Sequence, residues 1–286
     1  MLISTLIEEL DRTNIFWSSR ANIKAEVHSY QPILADINYM PNIVYIGEVS
    51  ELPEKAPDNI NFICVTDNIK QQMPNLSNCN VILTDGNILN LIKEISVYFS
   101  TEQRLYSDMH KLSKILNSDN CLDLLVETAY AMLGNPIIIV DSSYKILAMN
   151  KETVDVRPDL EVQRELGYMT NKNIEDMKSA GLYEKARKSH YPYYSKEPVS
   201  NYGWITALVY VHNIEAAQIG VMECNHEFTH YDYELINYLC KLISLELQKT
   251  SFYQQNHSLM HSVFLSELLQ GRIKNIHTAL ATGSQL

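Results

Sequence analysis

Basic residues are scarce in this chain: 23 Lys and Arg stand against 34 Asp and Glu, leaving a formal net charge of −11 over 286 residues. The deficit is not confined to one end. Residues 1–100 carry 6 basic and 12 acidic groups, and the remainder carries 17 and 22. A protein that grips a phosphate backbone needs Lys and Arg clustered on one face, so direct DNA contact by these residues is excluded. Cysteine is sparse as well. The five (Cys64, Cys79, Cys121, Cys224, Cys240) are scattered, odd in number and without a C-x-x-C pair, which argues against a disulfide scaffold or a zinc knuckle and fits a reducing compartment. Long apolar runs are absent: no segment offers the roughly 18 consecutive apolar residues of a spanning helix. The N-terminus reaches Glu8 and Glu9 after a very short apolar run and has no basic region, unlike a signal peptide. A cytoplasmic protein without a membrane partner is expected. Nine glycines form no P-loop, Rossmann or G-x-S-x-G pattern, and no acid/base pair emerges from spacing.

What is present suggests two globular units, as this length allows. In residues 1–87, Ile43–Gly47, Phe62–Val65 and Val81–Leu83 read as buried strands, each followed by turn-type residues, with helical stretches around them. That pattern predicts a small, mostly parallel α/β domain. Over 88–118 the period changes. Ile88, Leu91, Ile95, Tyr98, Leu105, Met109, Leu112 and Leu116 recur at 3/4 spacing, which fits a dimerising coiled-coil connector or one amphipathic helix lying on its own domain.

Residues 119–250 read as a second, α+β domain. Helical periodicity from Cys121 to Leu133 stops at Gly134-Asn135-Pro136. Ile137–Val140 and Lys145–Met149 form a hairpin around Asp141-Ser142-Ser143. Asp159–Ala180 is polar and helix-prone, ending at Gly181. Gly203–Val211 is a strong strand, His212-Asn213 a turn, and Ala217–Cys224 runs back. Thr229 with Asp232 resembles a capping box with Asp replacing Glu. It starts a helix expected to reach about Gly271, whose seam is Leu235, Tyr238, Leu242, Leu245, Phe252, Leu259 and Val263, with Asn256 setting register; 251–286 is its exit part, leading towards an output domain. On Gly203–Val211, Ile205, Ala207, Val209 and Val211 make an aliphatic face for the helices. The opposite face, Trp204, Thr206, Leu208 and Tyr210, is mixed, as in a sheet that lines a pocket.

Three segments carry a family resemblance. Leu133-Gly134-Asn135-Pro136-Ile137-Ile138-Ile139-Val140-Asp141-Ser142-Ser143-Tyr144-Lys145-Ile146-Leu147-Ala148 resembles the opening of the GAF-like sensory domain of PucR/CdaR-type transcriptional regulators. Gln218-Ile219-Gly220-Val221-Met222-Glu223, followed by Phe228-Thr229 and Asp232, is similar to that domain's last strand and exit-helix start. Phe264 to Ile273 resembles the helix leading to the family's output part. The resemblance covers about residues 105–275 and implies a GAF/PAS-like antiparallel sheet flanked by long helices. It also implies a small-molecule effector, signal transmission through paired helices in a homodimer, and a helix-turn-helix output. After Lys274 only 12 residues follow, so DNA is expected to be reached only through a C-terminal domain beyond this chain. A GAF-type input module of another signalling protein is the alternative.

Several side chains suggest chemistry. His226-Glu227-Phe228-Thr229-His230 spells the zincin motif, in which two His at i, i+4 bind zinc and the Glu is general base. Zincin geometry needs both His on one continuous helix, whereas Thr229 caps a helix that leaves His226 outside it. A metallopeptidase is therefore the remote reading, and no enzyme activity and no metal are expected. Cys224, His226 and His230 are read as structural before haem or metal ligands. No cofactor is expected. The candidate ligand site is the aromatic cluster His190, Tyr191, Tyr193, Tyr194, Tyr202 and Trp204, with Met149 and Tyr168 as further contributors. Tyr and Trp offer flat apolar surface with a polar tip, suited to a planar polar effector, under a loop stiffened by Pro192 and Pro198. Lys185, Arg187 and Lys188 read as a solvated helix face before an anion site.

Overall fold

The computed structural model describes residues 2–10, 15–34, 37–66, 74–116, 118–151, 159–179, 181–196, 202–249 and 266. It divides into two compact units, Met1–Arg104 and Leu105–Leu286.

In the first unit, β1 (Ile15–Ser19), β2 (Ser29–Pro32), β3 (Ile43–Glu48), β4 (Asn61–Val65) and β5 (Asn80–Thr84) form one sheet in the order β1-β5-β4-β3-β2. Strands β2 to β5 run parallel, and β1 closes the β5 edge antiparallel. The three apolar runs read from the sequence are the three central strands. Their alternation supplies two dry faces, as a buried parallel sheet requires. Val44, Ile46, Ile63 and Ile82 pack with α1 (Ile3–Glu9) and with Leu91 and Ile95 of α2 (Ile88–Ser113). Ile43, Tyr45, Phe62, Cys64, Val81 and Leu83 form the opposite core.

Helix α2 is a single helix of 26 residues. Its seam is consumed within the chain: Leu91 and Ile95 belong to the first unit's core, and Leu105 and Leu112 to the second's. A row of apolar residues at 3/4 spacing has the same sequence pattern whether it meets a partner helix or its own sheet, and here it meets its own cores.

The second unit is α+β. Strands β6 (Ile137–Asp141), β7 (Ile146–Met149), β8 (Tyr193–Lys196), β9 (Gly203–Val211) and β10 (Ile214–Glu223) form a wholly antiparallel sheet in the order β7-β6-β10-β9-β8. The β6–β7 turn is held by the Asp141 carboxylate, which accepts from the Ser143 and Lys145 amides at 2.8 and 2.9 Å. His212 and Asn213, both at positive φ, make the two-residue turn between β9 and β10, the backbone that matches strand twist.

One sheet face packs on α3 (Cys121–Leu133) and α7 (His230–Lys249), burying Ile139, Ile205, Ala207, Val209, Ile219 and Val221 against Leu125, Ala129, Leu235, Leu239 and Leu242. Gly134 ends α3 at φ 71°, its amide bonded to the Tyr130 carbonyl at 2.7 Å. At the start of α7 the Asp232 carboxylate accepts from both the amide and the hydroxyl of Thr229, at 2.7 and 2.8 Å. The Asp half of the expected box is thus present, while Thr229 donates to it. Of the exit-helix seam, Leu235 and Leu242 are core residues, and Phe252, Asn256, Leu259 and Val263 lie outside the described residues, as does nearly all of the 251–286 segment.

The polar stretch read as one helix is two, α4 (Asp159–Leu166) and α5 (Asn171–Ser179), followed by α6 (Leu182–Ser189). Gly167, at φ 71°, breaks the first from the second. Helix α6 buries Leu182, Tyr183 and Ala186, whereas no side chain of α5 is fully buried. Arg187 of α6 pairs with Glu215 of β10 at 2.6 Å, so this member of the basic run is an anchor to the sheet. Among the described residues, no helix is long and apolar enough to cross a membrane.

Candidate functional site

The sheet face turned away from α3 and α7 carries the site. Antiparallel registration puts Gln218 and Gly220 of β10 beside Val140 and Ile138 of β6 on one side, and beside Leu208 and Thr206 of β9 on the other. Trp204 lies two residues from Thr206 on the same face. Ile138, Val140, Trp204, Thr206, Gln218 and Gly220, roofed by Met169, Asn173 and Met177 from the α4–α5 region and by Leu182 of α6, enclose a cavity of about 70 Å³. Gly220 makes the floor possible. A Cβ there would lie 3.3 Å from the Trp204 ring and 3.2 Å from Ile138 Cγ2, so its absence lets the indole lie across β10.

Two polar atoms on this lining are buried without a protein partner: Trp204 Nε1, a donor, and Gln218 Oε1, an acceptor. Gln218 is only 6% exposed. Its Nε2 donates to the Tyr183 hydroxyl at 3.1 Å, and that hydroxyl donates to Met177 Sδ at 3.6 Å. The chain of donors orients the amide so that its oxygen is left over. Burial, the dominant influence, pushes the Tyr183 phenol pKa up, which keeps it a neutral donor. Ser195, directly across from Trp204 on β8, holds a third orphaned atom, its Oγ. Buried polar groups are nearly always paired, so a set of them on one cavity wall calls for an explanation.

The aromatic cluster expected from the sequence is divided by the sheet. Trp204 is in the cavity wall, and Tyr193, paired with Thr206, shares its face. Tyr194 pairs with Ile205 and points to the helix side. There its hydroxyl donates to Glu223 at 2.7 Å and its ring meets Phe228 edge-on. The Glu223 carboxylate, followed by burial, pushes the Tyr194 pKa up to about 12. Tyr191 stacks on Tyr233 with centroids 6.2 Å apart and donates to Glu234 at 2.9 Å. With His190, Pro192, Tyr210, Asn237 and Lys241 it lines a separate, open cleft of about 420 Å³ where α6, the free end of β9 and α7 converge. Pro192 cannot donate to the ladder, and β8 begins only after it, which leaves that stretch of β9 uncovered. Tyr202 lies just before β9 and is half-buried. Met149 pairs with Ile138 at the cavity's flank, and Tyr168 is half-exposed, bridged to Lys145. The residue after it, Met169, reaches the cavity. Pro198 lies outside the described residues.

Sequence reading missed Gln218, Gly220, Met169, Asn173 and Met177. The first two had a signal, since an amide and a glycine at alternate positions interrupt an aliphatic strand on one face. Asn173 and Met177 come from the polar helix α5 and Met169 from the turn before it, segments whose inward side only tertiary packing selects.

The H-E-x-x-H residues are not arranged for zincin chemistry. Helix α7 begins at His230, and His226 precedes it in a turn clamped by Asn135, whose side chain donates to the His226 carbonyl at 2.9 Å and accepts from the Asn225 amide at 3.0 Å. The His226 ring itself lies against the Leu133 carbonyl and the Glu227 carbonyl. Among the described residues, no group of three His, Cys, Asp or Glu side chains is placed to hold a metal ion.

No protein-family model matches the chain, and no curated protein matches it. Among solved structures it is similar to the cofactor-binding GAF domain of the nutrient sensor CodY from Clostridium difficile, with 11% identity and a TM-score of 0.33, covering 50% of this chain and 96% of that one. It is also similar to the A. aeolicus nlh2 GAF domain in an inactive state, with 15% identity and a TM-score of 0.34, covering 52% and 98%. A third likeness is to the GAF domain from Acinetobacter phosphoenolpyruvate-protein phosphotransferase, with 11% identity and a TM-score of 0.28, covering 49% and 89%.

Proposed function

We propose that the second unit is a GAF-like sensor that binds a small-molecule effector in the cavity between β6, β9, β10 and the helices α5 and α6. The observation that carries this reading is the pair of orphaned polar atoms, Trp204 Nε1 and Gln218 Oε1, on two residues of the wall of a mostly apolar enclosure. A structural sheet face would satisfy or omit them, because a buried unpaired polar group costs about 1–3 kcal/mol. A ligand completes them. Two of the segments that resemble PucR-type regulators fall on the end of α3, the β6–β7 hairpin, β10 and the start of α7, and of these β6 and β10 supply cavity wall; the third, Phe264 to Ile273, lies almost wholly outside the described residues. The chain is accordingly read as the ligand-sensing, dimerising portion of a PucR-like cytoplasmic transcriptional regulator. It acts by binding, not catalysis, and contacts DNA only through a helix-turn-helix domain outside these residues. Its homodimer would use outward-facing α2 residues such as Leu89 and Val97, which are 71% and 58% exposed, since the inward seam is already buried.

The chain has only two tryptophans, which makes the test direct. In a Trp17→Phe background, emission comes from the cavity wall alone, and an effector found by thermal-shift screening of small metabolites will change it. Gly220→Val, which fills the floor, is expected to abolish both responses while circular dichroism stays unchanged. An effector that still shifts the melting temperature of Gly220→Val would place binding elsewhere.

A further inference from the structure

The cavity's chemistry narrows the effector class, an inference that rests on the sensor reading above. We propose that the effector is a small, uncharged, planar amide-type molecule, such as a lactam or cyclic imide, that accepts a hydrogen bond from Trp204 Nε1 and donates one to Gln218 Oε1.

The first argument is charge. The lining consists of Ile, Val, Leu, Met and Gly with Trp204, Thr206, Gln218 and Asn173, and contains no ionisable side chain. Two cations on the covering helices are engaged elsewhere: Lys178 sits 5.5 Å from the Tyr144 ring centre, and Arg187 pairs with Glu215. A carboxylate, phosphate or ammonium entering here would lose its hydration and meet no counter-charge. Free amino acids, organic acids and nucleotides are therefore disfavoured by the same wall that welcomes a neutral solute.

The second argument is the pairing of the orphans. The indole N–H only donates, and Gln218 Oε1 only accepts. One ligand bearing an acceptor and a donor satisfies both, and the amide unit presents a C=O and an N–H within one plane. Ser195 Oγ, which can do either, lies on the same sheet face opposite Trp204, outside the lining itself. The Trp204 ring, which the missing Cβ of Gly220 lets approach β10, is part of the lining and supplies apolar surface.

The third argument is size. At about 70 Å³ the space is smaller than the roughly 150 Å³ cavity that holds benzene in an engineered protein. Only a compact ligand enters, and it gains room by displacing Met169 and Met177, side chains that repack readily.

The test uses the full 286-residue chain and isothermal titration with matched probes. Uracil and 2-pyrrolidinone carry the neutral amide unit; orotate and 5-oxoproline are the same rings with one added carboxylate; 1,3-dimethyluracil keeps the shape without a donor. At least one neutral parent is expected to bind, with its carboxylate counterpart and the dimethyl analogue roughly tenfold or more weaker. Trp204→Phe, which removes the donor but keeps a ring, and Gln218→Met are each expected to weaken the parent roughly tenfold. Gln218→Met is further expected to erase the preference for uracil over its dimethyl analogue. Binding of a charged member as tight as its parent, or no neutral binder at all, overturns the assigned class. If in that case a charged metabolite binds and Trp204→Phe or Gly220→Val weakens it, the sensor site stands and only its ligand class falls. Binding indifferent to Trp204→Phe, Gln218→Met and Gly220→Val together overturns the site itself.

Discussion

The two five-stranded sheets of this chain treat buried polar groups in opposite ways. In the first unit, Asn61 and Asn80 are wholly buried at neighbouring positions of β4 and β5, and every side-chain polar atom of the two has a partner. Asn80 Nδ2 donates to Asn61 Oδ1 and to the Asn22 carbonyl, both at 2.7 Å; Asn80 Oδ1 accepts from the Asn22 amide at 2.9 Å; and Asn61 Nδ2 donates to the Pro41 carbonyl at 2.6 Å. In the second unit, Gln218 and Trp204 are equally placed on a sheet face and are left incomplete. The contrast separates polar residues that hold a fold together from those that await something. Burial alone marks neither; the state of the hydrogen-bond ledger does.

Substitutions can break this contrast, and they are expected to differ in size. Asn80→Ala removes the centre of a satisfied network and strands Asn61 Oδ1 and the Asn22 amide. A loss of about 3 kcal/mol is expected, read from the urea unfolding of Trp17 emission in a Trp204→Phe background, so that only the first unit reports. A smaller loss, about 2 kcal/mol, is expected for Tyr231→Phe. The Tyr231 hydroxyl donates to the buried Asp108 at 2.7 Å, beside the Lys111 ammonium at 2.6 Å, and a hydrogen bond to a charged group is worth about 1.5–3 kcal/mol. This satisfied pair lies on the helix side of the second unit, so its cost tests whether the two sides of one sheet differ. Gln218→Met is expected to change ligand-free stability by less than about 1 kcal/mol, since it deletes an unmet acceptor along with one weak contact. A loss as large as that of Asn80→Ala would show that Gln218 is structural.

The smallest effect is at high pH. Tyr194 is raised to about 12 by its bond to Glu223, from an ordinary value near 10. The folded state then holds its phenolic proton where the unfolded chain has released it. That contribution is full below about pH 10 and is lost as pH rises through about 12. Thermal melts across this window are expected to show a shallower decline for Tyr194→Phe than for the parent chain, and parallel declines would deny the coupling.

Most of the fold was legible because it rests on periodicity. Ile43–Gly47, Phe62–Val65 and Val81–Leu83 are strands for the reason that bounded apolar runs usually are, and Gly134 stops α3 as its left-handed backbone permits. The heptad-like row in α2 was legible as a buried face but not as to what buries it. In the site, the mixed face of Gly203–Val211 contributes Trp204 and Thr206 to the cavity wall, a placement that follows from a strand's alternation, which is a local property. The division of the aromatic loop follows from the same alternation. Tyr193 and Tyr194 are neighbours in sequence and therefore on opposite faces, and Pro192 ends the ladder so that His190 and Tyr191 fall to an outer cleft. Met177 carried no local signal, since α5 is polar almost all round, and Met169 lies in the short connection before it.

The two covering helices are unequally tethered. Helix α6 is nailed to the sheet by Arg187–Glu215, by Tyr183 on Gln218 and by three buried side chains, while α5 contributes Asn173 and Met177 to the roof without one fully buried residue. Local opening is expected first where the fewest side chains are buried, on the α5 flank. We expect its amides to exchange with deuterium well before those of α6 and to slow most on effector binding, so that the occupied state is signalled by the quieting of one loose helix.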